Sequence, residues 1–380
     1  MKRRKIFALL IVMVIVFAFA ACGGGGGNAP VSNPTPAPAP SGGGAAPVDD
    51  TVYDLAFALD SAPTAAYSKA LDDWVDALRE ESNGRLNITI YYGGVLAVGA
   101  EVVDLVIRGG ADMGWATTSL NPGYFSYVLI LGAYGKDVTS TPIATHIMSN
   151  LYKRSEAFKK EYTVDGQLHP LAVHGQTPAC LASADVKIDK PEQVKGLTIM
   201  VANRNVIRLL EKLEAAPIAV TINDYYENYS KNICRVSLTD GSPYYIMNLN
   251  EVVDYFCTFN FNTANSFAFM NQAKYDSLPA DLQELLDSKF DELSLNCGIL
   301  NNEAFKNFVQ NTLPASNVEL YNLDQSFIDV FLSSQEELIV QPWREKCVED
   351  GFDPDYEQGL VEELIAEARQ IYGSDYDWFS

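Results

Sequence analysis

A chain of 380 residues can bury two cores, and its 49 acidic against 27 basic residues give a formal charge of −22. Such a charge repels phosphate and excludes nucleic acid as a partner. Three histidines with no metal-ligand spacing exclude a conventional zinc centre, and no cofactor is expected.

In chain order, Lys2, Arg3, Arg4 and Lys5 precede the apolar run from Ile6 to Ala21, which ends in small residues just before Cys22. A basic start, a short apolar segment and a small-residue cleavage site make a secretory signal over residues 1–21. Cys22 after them, followed by Gly23 to Gly27, resembles a lipoprotein box, so Cys22 is the expected lipidation site and the chain is expected to be extracytoplasmic and membrane-anchored. Within residues 22–50, Gly23 to Asp49 is mostly Gly, Ala, Pro, Ser and Asn with almost no large apolar side chain, which makes a tether rather than a fold. The other cysteines, Cys180, Cys234, Cys257, Cys297 and Cys347, are odd in number and without CxxC spacing, so at least one remains a thiol.

Val52 to Leu59 alternates as a strand, and Pro63-Thr64 opens a helix with Tyr67, Leu71, Trp74, Val75 and Leu78 on one face. Leu86 to Tyr92 is a second strand, Ala100 to Ile107 a helix, and Asp112 to Thr118 a third strand. This β-α-β-α-β opening predicts a parallel sheet whose crevice lies at the carboxyl ends of the strands. Thr139 to Tyr162 reads as helical and Leu168 to Val173 as a strand, with His174 to Ser183 a loop of small residues at a crossing point. Lys187 to Asn203 follows as a turn and a half-buried strand in which Leu197, Ile199 and Val201 alternate with Met200. Beyond it come a helix to Leu213, a strand at Ala216 to Val220, a helix to about Asn232, the strand Phe267 to Asn271 and a helix from Ala280 to Leu293. Helices at 301–310, 323–335, 343–351 and 360–372 complete the chain.

Several of these pieces, in this order, resemble the substrate-binding proteins of TRAP transporters, the DctP family. Gly93-Gly94-Val95-Leu96 resembles its G-G-x-L-G turn, Gly109-Gly110-Ala111-Asp112-Met113 its G-x-x-D-M, Lys195-Gly196-Leu197 its K-G-L, and Tyr275-Asp276-Ser277-Leu278-Pro279 its W-D-S-L-P. Asp224-Tyr225-Tyr226 stands for E-V-Y, and a register fixed at Glu251-Val252 places the family's V-V-D-G-Q-E-N-P over Ile233 to Thr239, with both its Asp-Gly and its Asn altered. The resemblance implies an α/β bilobed periplasmic-binding-protein fold, two α/β domains with hinge-crossing strands and a ligand cleft between them. Lobe I is expected over 51–177 and 266–305, lobe II over 178–265 and 306–345, and helices across both over 346–380.

By the same resemblance, the cleft is lined by Asp60, Trp115, Thr117, Thr118, Cys180, Met200, Thr239 and Asn262. The family's K-G-L-K-I-R strand ends in an arginine that forks onto the ligand's carboxylate, and here Met200 takes its place. Arg204 and Arg235 are the candidates for a compensating cation. Each residue has an ordinary alternative: Trp115 as core aromatic, Cys180 as small hydrophobe, Met200 as flexible filler, Thr239 as turn residue, and both arginines as solvated charges. The implied function is capture of a small-molecule ligand by a monomer that closes on it and docks to an ion-driven TRAP permease in the membrane. The ligand is expected to be richer in hydroxyl or apolar surface than the family's small carboxylates, or to have its acid group held differently. A sensor feeding a signalling receptor and a binding protein of an ABC transporter are the alternatives. An enzyme is disfavoured, because no G-x-S-x-G or H-E-x-x-H arrangement appears.

Overall fold

The computed structural model describes residues 50–379 apart from 202–205 and 221. The signal, Cys22, all of the tether but Asp50, and Arg204 therefore lie outside the described residues.

The opening forms as its periodicity requires: β1 (Tyr53–Ala58), α1 (Ala66–Glu81), β2 (Leu86–Tyr91), α2 (Glu101–Ile107) and β3 (Met113–Thr117). β1 pairs in parallel with both β2 and β3, and α1 buries Tyr67, Leu71, Trp74, Val75 and Leu78. A short 3-10 segment, Tyr127–Tyr134, leads to α3 (Thr141–Arg154) and α4 (Glu156–Tyr162). The single helix expected over Thr139 to Tyr162 is thus two. Ser155 breaks it, extended in backbone, and its side chain accepts from the Phe158 amide to cap α4.

β4 (Leu168–Ser183) is the largest departure from the sequence reading: the expected loop from His174 to Ser183 is the second half of one 16-residue strand. Its first half pairs with β9 (Thr263–Asn271) and its second with β7 (Val236–Asp240), so one strand runs through both halves of the molecule. The pattern reads as a loop because Gly175 to Pro178 interrupts it, and the ladder is irregular there. Gly175 is required at this point, since a Cβ on it would lie 2.3 Å from the Ala144 Cβ of α3.

The rest follows as β5 (Thr198–Val201), α5 (Ile207–Lys212), β6 (Ala216–Ala219), α6 (Tyr225–Ser230), then β7, α7 (Gly241–Ile246), β8 (Tyr255–Cys257) and β9. The strand order is β2-β1-β3-β9-β4-β7-β5-β6, with β8 pairing β4 and β10 (Glu319–Tyr321). In the second half β5, β6 and β7 are mutually parallel, so their carboxyl ends point the same way. β7 covers the altered stretch from Val236 onward, and Asp240-Gly241 beyond it makes the strand-to-helix turn into α7. A short helical turn, Leu249–Glu251, entered through Asn248 in left-handed backbone, precedes β8.

After β9 comes α8 (Gln272–Asp276), and the helix expected over Ala280 to Leu293 divides into α9 (Ala280–Ser288) and the start of the long α10 (Phe290–Asn307), which continues through a π turn at Phe308–Thr312 into α11 (Leu313–Ala315). Then come α12 (Gln325–Gln335), α13 (Gln341–Glu349) and α14 (Pro354–Tyr372). Three cores result: one under α1, one on the outer face of β5 and β7, and a large one that includes both Phe267 and Met200 and so spans the crossing strands. Among the described residues no helix is long and apolar enough to cross a membrane, and all five described cysteines are buried free thiols.

Candidate functional site

The carboxyl end of β1 delivers Asp60 and Ser61 beside α1. The Asp60 carboxylate accepts from the Gly99 amide at 3.1 Å and from the Ser61 hydroxyl at 3.3 Å, and burial pushes it above the ordinary carboxylate range against those bonds. Ser61 also bonds the Tyr67 phenol, whose ring stacks on Trp115 of β3 at 4.6 Å and 7°. The Trp115 indole donates to His174 Nε2 at 3.1 Å, while His174 Nδ1 lies 3.0 Å from the Gly175 carbonyl. An indole N–H only donates, so Nε2 must accept and the proton sits on Nδ1. Burial holds this imidazole neutral, its pKa lowered to about 4.

A chain of polar side chains joins the two halves at the same level. Tyr245 of α7 donates to Asn301 of α10, Asn301 to Gln176 of β4, and Gln176 to Ser266 of β9, which lies 3.0 Å from Thr117. Thr118 donates to the Asn265 carbonyl at 3.1 Å, and the Ser242 amide donates to Thr177 at 2.9 Å.

On the inner face of the second half, alternation lines up the remaining candidates. Cys180 of β4 is registered with Thr239 of β7, Ala182 with Ser237, and Ser237 with Met200 of β5. Cys180, Met200 and Thr239 are each 0% exposed. Tyr225 and Tyr229 of α6 and Tyr244 of α7 cover this face in one core with Met200. Their hydroxyls are ordered in a short network: Tyr229 lies 2.7 Å from the Ser237 hydroxyl and donates to the Ala182 carbonyl, and Tyr244 donates to the Cys180 carbonyl at 2.8 Å. Gly241 lets α10 approach, since a Cβ there would lie 2.3 Å from the Phe305 ring.

The candidates therefore fall into groups. Asp60, Trp115, Thr117 and Thr118 gather at the carboxyl ends of β1 and β3, and Cys180, Met200 and Thr239 across the junction. Arg235 precedes β7 and so stands at the opposite end of that strand from Thr239; its guanidinium pairs with Asp185 at 2.8 Å and bonds Asn232. Asn262 lies just before β9 against Gly132, with its side-chain nitrogen buried and without a partner. A cavity of about 370 Å³ lined by Lys136, Phe259, Asn260 and Phe379, among others, touches none of the described candidates.

Sequence reasoning missed Tyr67, His174, Gln176, Tyr225 and Tyr245. The signal that was present is the density of tyrosine between residues 225 and 245, unusual for a pair of short helices facing solvent. His174 and Gln176 were hidden by reading their strand as a loop.

The comparisons come to rest on this architecture. A family model of bacterial extracellular solute-binding proteins, family 7 (DctP), matches residues 57–345. Among solved structures, a TRAP periplasmic solute-binding protein from Bordetella bronchiseptica with bound mandelate superposes with a TM-score of 0.74 at 17% identity, over 84% of this chain and 99% of that one. A TRAP solute-binding protein from Rhodoferax ferrireducens with copurified benzoate gives 0.69 at 18% identity, over 84% and 99%. One from Desulfovibrio salexigens with bound orotic acid gives 0.68 at 14% identity, over 83% and 99%.

Proposed function

Because the chain belongs to the DctP family of bacterial extracellular solute-binding proteins, we propose that it captures a small organic ligand by closing its two lobes and delivers it to a TRAP-type, ion-driven permease. It acts as a monomer tethered by a lipid on Cys22, so that the closed form meets its membrane partner in two dimensions rather than three. The lobe boundaries given above belong to this proposal. Closure expels water from the junction, where the few polar contacts then act in a lower dielectric.

The observation that carries the ligand reading is Met200. A thioether cannot donate a hydrogen bond, and the residue is fully buried beneath three tyrosines. Forfeiting a charge-assisted contact of roughly 1.5–3 kcal/mol weakens a carboxylate about 10- to 100-fold. Asp60, across the junction, adds a negative group. The ligands named for the reported structural relatives are ring-bearing acids; the aromatic cluster of Tyr67, Trp115 and His174 suits a ring, and with Met200 in the arginine's place the ligand is one richer in hydroxyl or apolar surface, or one whose acid group is held differently.

Native mass spectrometry of the full chain, purified in detergent without refolding, tests this. The expected result is a retained small molecule that is not a simple carboxylate. Retention of a C4-dicarboxylate or sialic acid at micromolar affinity would sink the reading.

A further inference from the structure

The cavity of about 370 Å³ lies away from every described candidate, and its walls come from two different cores. One wall is Thr258 and Phe259, from the segment that links β8 to β9. Thr258 is bonded to Tyr321 and Asn322 at the end of β10, and Phe259 stands edge-on to Phe331 of α12 at 5.2 Å, against the core on the outer face of β5 and β7. The other wall is the stretch before α3, from Gly135 to Thr139, together with Asp377, Trp378 and Phe379 after α14. Trp378 donates to Thr141 of α3 at 3.1 Å and Phe379 packs on Phe305 of α10, both in the large core. Asn260 ties the two walls, its amide donating to the Gly135 and Val138 carbonyls.

The chemistry open to a ligand there is narrow. Thr139 donates to Asp377, Thr258 and the Trp378 indole have the partners just named, and both ends of the Asn260 side chain are engaged, its oxygen receiving the Asn262 amide. Lys136 differs: among the described residues its ammonium has neither an ion pair nor a hydrogen bond. Asp137 beside it is taken by Arg369 at 3.2 Å. A cation without a counter-ion, on the wall of a pocket lined by Val138 and the rings of Phe259, Trp378 and Phe379, matches an apolar body that carries one negative charge. The volume falls within the range of about 300–1,000 Å³ typical of small-molecule sites.

We propose that this cavity is a second ligand site, separate from the strand junction, which takes an aromatic monocarboxylate with its ring against Phe259 and Phe379 and its charge on Lys136. The assignment stands apart from the reading of Met200 and does not depend on which ligand the junction holds.

The test is calorimetric titration of the full chain in detergent, with detergent alone as the blank, using 2-naphthoate and its neutral counterpart 2-naphthamide. The acid should bind about tenfold more tightly than the amide, as one charge-assisted contact predicts. Lys136→Gln, an exposed change that should leave the urea midpoint unmoved, should lower the acid to the affinity of the amide, and Phe259→Ala should weaken both probes about tenfold. Equal binding of acid and amide by the parent would overturn the charge assignment and with it the ligand class. Acid affinity unchanged in either variant would place the probe elsewhere and overturn the site, and so would binding of neither probe. Each of these failures leaves solute capture at the junction standing, since that is read separately from the molecule retained through native purification.

Discussion

His174 gives the sharpest quantitative expectation. It lies in the crossing strand β4, fully buried, with its Nε2 lone pair receiving the Trp115 indole N–H and its Nδ1 proton directed at the Gly175 carbonyl. Protonation would add an N–H at Nε2, where Trp115 already presents one, and would charge a group with no water around it. Burial lowers its pKa from the ordinary 6.5 to about 4, with the Gly175 carbonyl acting weakly the other way. The folded state therefore prefers the neutral ring, so the stability it contributes is complete above pH 6.5 and is lost as pH falls toward 4. The displacement from 6.5 to about 4 corresponds to about 3 kcal/mol. Urea unfolding at pH 7, 5.5 and 4 should show the parent losing about 3 kcal/mol more than His174→Gln, which accepts from the indole and cannot be charged. Equal acid losses in the two proteins would refute the reasoning, and so would a parent that gains stability relative to the variant on acidification.

Other expectations test the scaffold and the ligand wall. Glu161 is buried and accepts from the backbone amides of Ser126, Tyr127 and Val128, yet burial outweighs those bonds and raises its pKa from 4.5 to about 7. Its ionisation is resisted by the fold, so its contribution is complete below pH 4.5 and is lost as pH rises through 7; Glu161→Gln should remove about 3 kcal/mol of that dependence between pH 4.5 and 8, measured by the same unfolding series. Met200→Arg should cost about 3 kcal/mol or more, because the guanidinium would be driven into a core of Tyr225, Tyr229 and Tyr244; parent-like stability together with new carboxylate binding would show that the tyrosines do not close that wall. Gly175→Ala should cost about 1–3 kcal/mol through the clash of its Cβ with Ala144, read as a lowered urea midpoint with an unchanged slope.

Much of the architecture was legible from residue patterns. The alternation of Tyr53–Ala58 and Leu86–Tyr91, and the apolar stripe from Tyr67 to Leu78, produced the elements they predict, because period 2 and period 3.6 are local consequences of backbone geometry. Reading failed where tertiary contacts override local preference. Gly175 to Pro178 has loop composition but lies extended because β9 pairs along it and α3 packs on it through Gly175. Ser155 and Lys289 divide helices whose apolar periodicity runs on through the break.

The sequence by itself determined the family, the crossing at β4 as a place in the chain, and the replacement of an expected arginine by Met200. Only the tertiary structure decided what surrounds Met200. Met200 and Tyr225 are 25 residues apart yet share one core, and Thr239 of β7 bonds the Tyr225 phenol of α6. Arg235, a plausible anchor in one dimension, stands at the far end of β7 with Asp185, since strand direction fixes which end of a residue run faces the junction. Spacing along a chain carries helix and strand period, whereas the partner of a buried hydroxyl or a lone pair depends on which surfaces pack together, and that is set by the fold as a whole.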